Sequence, residues 1–171
     1  GTKALVQQAW ACGHRRIAFI HGEKTSVTEN RIAGFYQACE ELGLEIPEEY
    51  VRGGVYHDVD RCAEETRALL ALPQRPTCII FPDDFSALGG YNALAEAGLS
   101  IPEDISVMGY DGIYLSRVVK PSLVTYQQNT AALGQTAADK LIELIEHPRV
   151  TLPEQIRVSG RLLSGGSVRS L

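Results

Sequence analysis

Cys78-Ile79-Ile80-Phe81 is an unbroken apolar run, and Pro82-Asp83-Asp84 ends it abruptly. A strand with one wet face alternates apolar and polar residues, whereas a strand covered on both faces does not. Ile17-Ala18-Phe19-Ile20 and Ile105-Ser106-Val107-Met108 read the same way, and Val51 with nearby Val55 marks a fourth strand. Helical faces lie between them. Ile32, Phe35, Cys39 and Leu42 recur at helical spacing, as do Cys62, Thr66, Leu69 and Leu70, and then Ala87, Leu88, Tyr91, Leu94 and Ala95. Strand starts recur roughly every thirty residues, the length of a βαβ unit. The pattern predicts an α/β fold with a doubly wound, mostly parallel sheet and right-handed crossovers.

Two helix exits nearly repeat each other: Leu42-Gly43-Leu44-Glu45-Ile46-Pro47-Glu48 and Ala97-Gly98-Leu99-Ser100-Ile101-Pro102-Glu103. In each, glycine can take the left-handed position past the helix end, leucine can fold back, and proline stops further helix. Shared capping chemistry accounts for the repeat better than duplication does. After Asp111 the rhythm changes. Pro121–Tyr126 alternates like a strand. Asn129 or Thr130 can cap a long helix carrying Leu133, Ala137, Leu141, Leu144 and Ile145, which ends before Pro148. Short strands are expected near Ile156–Val158 and Leu162–Leu163, and the Ser/Gly-rich stretch Ser164–Leu171 reads as a frayed tail. Residues 1–12 read as the interior of a helix, with no initiator Met and no signal peptide.

The 171 residues are 44% hydrophobic. A compact domain of that size buries roughly 70% of its unfolded surface. Sixteen basic residues face twenty-one acidic ones, for a formal net charge of −5. The chain is therefore no polycation that grips phosphates wherever they lie, and its ordinary apolar content argues against disorder. No apolar run approaches the roughly 20 residues of a membrane span. Cys12, Cys39, Cys62 and Cys78 lack CxxC spacing and sit in apolar segments, which suggests buried free thiols in a reducing compartment. The four histidines, His14, His21, His57 and His147, show no i, i+4 pair and no HExxH, so no metal site is expected.

Ligands of an open parallel sheet bind beyond the carboxyl ends of its strands. That rule selects Arg31 in the segment after the first strand, Tyr56 after the second, Asp83 and Asp84 after the third, and Asp111 after the fourth. There is no Walker A or GxGxxG sequence, and three carboxylates would repel phosphate. Such a set suits a neutral, hydroxyl-rich ligand: carboxylates accept paired hydroxyl bonds, Arg donates in a fixed fork, and an aromatic face covers a sugar ring. Each residue also has a plainer reading. Asp84 can cap a helix starting at Phe85 or Ser86, Asp111 before Gly112 can serve a turn, Arg31 can pair with Glu29, and Tyr56 can simply pack. Two adjacent carboxylates rarely converge on one Mg²⁺. No nucleophile or proton path suggests an enzyme.

Several stretches together resemble the lactose/galactose-repressor (LacI/GalR) family: Gly13-His14-Arg15-Arg16-Ile17-Ala18-Phe19-Ile20, Arg31-Ile32-Ala33-Gly34-Phe35, Ile101 through Asp111, and Leu123-Val124-Thr125-Tyr126-Gln127-Gln128 followed by Leu133-Gly134. The resemblance covers nearly the whole chain in order. It implies a non-enzymatic, cofactor-free, cytoplasmic regulator: a helix-turn-helix followed by a two-lobed sensor of the periplasmic-binding-protein type I fold. An effector, here a carbohydrate, binds between the lobes and changes operator affinity, and the protein is a homodimer. Residue by residue, Arg31, Tyr56, Asp83, Asp111 and Gln128 fall on effector-contacting positions, while Asp84 matches a near-constant Asp. Two departures stand out: Asp83 replaces a common Asn, exchanging a donor for an acceptor, and Val27 stands where a small hydroxyl residue is usual. On this resemblance residues 1–14 are the last helix of the N-terminal lobe and 15–126 the C-terminal lobe. Residues 127–159 are then a return helix and strand of the N-terminal lobe, and 160–171 a final C-lobe strand and tail. Operator DNA would be bound through a domain absent from this chain. The alternative is an extracytoplasmic solute-binding protein of a sugar transporter, which shares the fold.

Overall fold

A computed structural model describes residues 1–147, 149 and 155–171. Six strands form one sheet: β1 (Ile17–His21), β2 (Val51–Gly53), β3 (Cys78–Ile80), β4 (Ser106–Asp111), β5 (Val124–Gln127) and β6 (Arg161–Leu163). Their order is β2-β1-β3-β4-β5-β6. The first five are parallel, and β6 closes the edge antiparallel to β5. The helices are α1 (Thr2–Ala11), α2 (Ser26–Glu41), α3 (Val59–Leu70), α4 (Ala87–Glu96), the single turn α5 (Leu115–Val118) and α6 (Thr130–Glu146). None is long and apolar enough to cross a membrane.

The unbroken apolar runs have the cause inferred for them. Ala18, Ile20, Ile79 and Val107 face one core with Cys62 and Leu69 of α3 and Leu94 of α4. Ile17, Phe19, Ile80 and Met108 face a second core with Leu5 and Val6 of α1 and Phe35 of α2. Each strand alternates between two buried faces, so neither face needs polar residues. Gly43 and Gly98 take positive φ, 64° and 69°, and Leu44 and Leu99 donate back to Cys39 and Leu94. Both exits therefore end in the glycine-capped turn that their sequences predict. All four cysteines are free thiols, three of them buried.

Three expectations change. Residues 1–14, assigned to the other lobe, pack here: Leu5, Val6 and Ala9 are buried in the same core as Phe35. Their apolar spacing finds its partner on the adjacent α2, within this sheet's own helix layer. Residues 155–160 form no strand. A strand needs a neighbour, and β6 already occupies the edge that β5 offers. The terminal stretch is anchored. Ser167 is fully buried, its Oγ donates to Val107 O at 2.6 Å and accepts from Val124 N at 2.8 Å, and Leu171 N donates to Cys12 O. Small residues are needed there because the tail lies against the backbone of Ser122 and Leu123, into which a Cβ on Gly165 would run.

α6 stands apart. Asn129 caps it by accepting from Ala132 N, as its sequence suggests. No residue of it is buried, and Leu141, Ile142 and Ile145 are more than half exposed.

Candidate functional site

β1 has β2 on one side and β3 on the other, so the connections leave in opposite directions and open a crevice beyond the carboxyl ends of β1 and β3. Arg31 enters it from α2. The helix starts where it does because Thr25 Oγ1 accepts from Thr28 N, which places Arg31 on the second turn, facing the strand ends. Its Nη1 donates to Pro82 O at 2.6 Å, just past β3. The guanidinium carbon lies 3.8 Å from the Tyr110 ring centroid and 5.4 Å from that of Tyr56. Its Nη2 stands 3.9 Å from Asp111 Oδ1.

Asp111 ends β4 with φ of 102°, and Gly112 follows at 69°. A non-glycine residue there is strained, and strain of this kind gathers at functional sites. The turn carries the carboxylate off the sheet toward Arg31. Gln128, just past β5, donates from Nε2 to Asp111 Oδ1 at 2.5 Å and from its backbone N–H to Asp111 O. Tyr56 is held by its backbone N–H on Glu23 Oε2 and by its hydroxyl against Thr28 Oγ1 at 3.0 Å. Gly22 is required beneath it, since a Cβ would collide with the Tyr56 ring.

Four of the five residues expected at the site thus converge: Arg31, Tyr56, Asp111 and Gln128. Asp83 does not join them. It is 1% exposed, and both oxygens are engaged within the chain. Oδ1 accepts from Ser86 N, while Oδ2 accepts from Ser86 Oγ and from His57 N, whose residue has φ of 59°. The start of α4 is therefore closed by Asp83, and the capping expected of Asp84 moves back one residue. Asp84, also 1% exposed, points the other way: it accepts from Ile113 N at 2.8 Å and from Thr125 Oγ1 at 2.5 Å. Burial pushes its carboxyl up to about 6, against the lowering pull of the Thr125 bond.

Sequence reading missed Tyr110, the aromatic nearest Arg31. Its period-two relation to Met108 on β4 would have placed it on the α1–α2 side, beside Arg31. Burial raises its phenol, so it remains a neutral hydroxyl. Val27 and Asn30 also line the open cleft with Arg31, Tyr110 and Gln128. Val27 is half exposed there, and the hydroxyl of Thr25 is spent on capping α2.

The profile of the periplasmic binding protein-like domain matches residues 6–168. The chain belongs to that family. Within it, the chain is of the LacI/GalR kind. It is 36% identical over 173 residues to the HTH-type transcriptional repressor PurR of Haemophilus influenzae (strain PittEE), covering 99% of this chain and 50% of that protein. A putative LacI transcriptional regulator from Bacillus cereus subsp. cytotoxis superposes with a TM-score of 0.92 at 28% identity, covering 99% of this chain and 60% of that one. A LacI-family regulator from Enterococcus faecium with bound ribose does so with a TM-score of 0.87 at 30% identity, covering 100% of this chain and 62% of that one. The chain thus spans about half the length of the curated relatives it matches. These periplasmic-binding-protein-like relatives are transcriptional regulators, neither enzymes nor transporter components.

Proposed function

We propose that this chain is the C-terminal half of an effector sensor in a transcriptional regulator, and that its effector is a small hydroxyl-rich ligand such as a sugar. The observation that carries the reading is the gathering of Asp111, with Gln128 bonded to it, and two tyrosine rings around Arg31, beside the open cleft that Arg31, Tyr110 and Gln128 line. A fixed guanidinium fork beside a carboxylate offers donors and acceptors to neighbouring hydroxyls, and the tyrosines offer apolar faces. The ribose-bound relative supports this ligand class.

The cleft is open because it is one wall of a two-lobed site. Residues 127–159 belong to the second lobe, where the apolar face of α6 becomes buried, while 160–171 return to this lobe. Effector binding favours one lobe arrangement by its differential affinity, and that difference shifts the affinity for operator DNA held by a separate domain. The intact regulator works in the cytoplasm as a homodimer. Truncating a polar anchor leaves its partner unpaired, so Arg31→Ala and Asp111→Ala should each cost roughly 1–3 kcal/mol of effector binding. Calorimetry on the full-length protein with ribose and other pentoses checks this. Sugar affinity that survives both substitutions would refute the site.

A further inference from the structure

Asp83 and Asp84 are adjacent, buried and aimed at different loops. Asp84 grips the exit of β4 on both sides of Asp111. Its own N–H donates to Tyr110 O at 2.8 Å, and one carboxylate oxygen accepts from Ile113 N at 2.8 Å. The other oxygen accepts from Thr125 Oγ1 on β5. Between the two grips lie Asp111 and Gly112, both at positive φ, and Asp111 holds a conformation that a non-glycine residue adopts only when its surroundings impose it. Gly109 makes the arrangement possible, because a Cβ there would collide with Asp84 Oδ1 and Leu123. Asp84 itself is too deeply buried to line the cleft.

We infer that Asp84 is the positioning residue that holds Asp111 in its effector-facing conformation, by clasping Tyr110 and Ile113 to β5. This rests on the reading of Asp111 as an effector ligand. The same loop ties to Gln128, whose backbone and side chain both bond Asp111, so releasing Asp84 also frees the second polar contact of the cleft. The clasp works with Asp84 ionised, since an anion accepts from both donors at once. The titratable and charged groups facing it are Asp111 at the end of β4, Tyr91 from α4 and, beyond Asp111, Arg31 from α2. Asp111 favours protonation of Asp84, as burial does. The clasp therefore loosens on mild acidification.

The test is amide hydrogen exchange on the full-length protein, expressed as protection relative to each amide's intrinsic rate, for wild type, Asp84→Asn and Thr125→Val. Asp84→Asn keeps the shape and removes the charge, whereas Thr125→Val removes one partner. Both should lower the protection of the Ile113 and Gln128 amides about tenfold, the scale of one lost hydrogen bond. The Ile79 and Val107 amides in the core strands should not change, which separates a loosened loop from an unfolded protein. In wild type the Ile113 protection should fall between pH 8 and pH 5, and in Asp84→Asn it should be flat. Ile113 protection that is unchanged in both variants, or a pH profile that survives in Asp84→Asn, overturns the inference. Ribose titrations of Asp111→Ala run alongside: if Asp111→Ala leaves ribose affinity unchanged, the effector reading fails while the exchange data still judge the clasp.

Discussion

Asp83 and Asp84 show how little a residue type says about its job. Both were candidates for the cleft, yet each spends its carboxylate on a neighbouring loop whose backbone needs support, at His57 and at Asp111. What decided between contact and support was burial, which a pair of adjacent aspartates does not announce. Burying Asp84 also has a signed cost. Its folded-state value, about 6, lies above the ordinary 3.8, so between those values the folded protein holds more protons than the unfolded chain. Its contribution to stability therefore rises as pH falls from 7 toward 4 and is lost as pH rises through about 6. Wild type should gain stability relative to Asp84→Asn on moving from pH 7 to pH 4.5, measured as the difference between their urea midpoints. A difference that is flat with pH would contradict the buried charge.

Among the elements, the strands were legible because a doubly covered strand must be apolar throughout, and the helices because one face must meet a core. The anchored tail and the strandless stretch at residues 155–160 were not. The tail is polar by composition and is held by bonds to strands far away in sequence, chiefly through Ser167. No local pattern encodes such a partner. Glycines carry the same lesson. Gly43 sits in a left-handed turn with open space where a Cβ would go. Gly89 on α4 lies so close to α3 that a Cβ would run into Val59 O and the Ala63 backbone. Gly43→Ala should cost about 1 kcal/mol from backbone conformation alone. Gly89→Ala should cost more, about 2–3 kcal/mol, because it forces apart two helices whose contact closes one core. Denaturant unfolding of the two variants ranks them, and equal losses would mean that the helices can separate freely.

For the whole molecule, the exposed apolar residues of α6 set this segment apart from a lobe whose other long helices all bury a face. The chain leaves the sheet after Gln127 and returns to it at Arg161. Those two points are neighbours: Gln127 pairs with Arg161, and Gly160 N donates to the Tyr126 hydroxyl. Replacing residues 129–159 with a two-residue type I′ turn should therefore leave a cooperatively folding lobe, seen by circular dichroism and a single thermal transition. It should also abolish the dye binding that an exposed apolar helix invites. Loss of the transition would mean that the excursion supports the lobe.

Because β5 and β6 hand the chain out and back side by side, everything between them is attached as a bead is clipped to a cord, by two adjacent strands at one edge. A part mounted in this way can be lengthened, exchanged or tilted without redrawing the sheet that carries it. The same pair of strands joins that part to Gln128, and through it to Asp111.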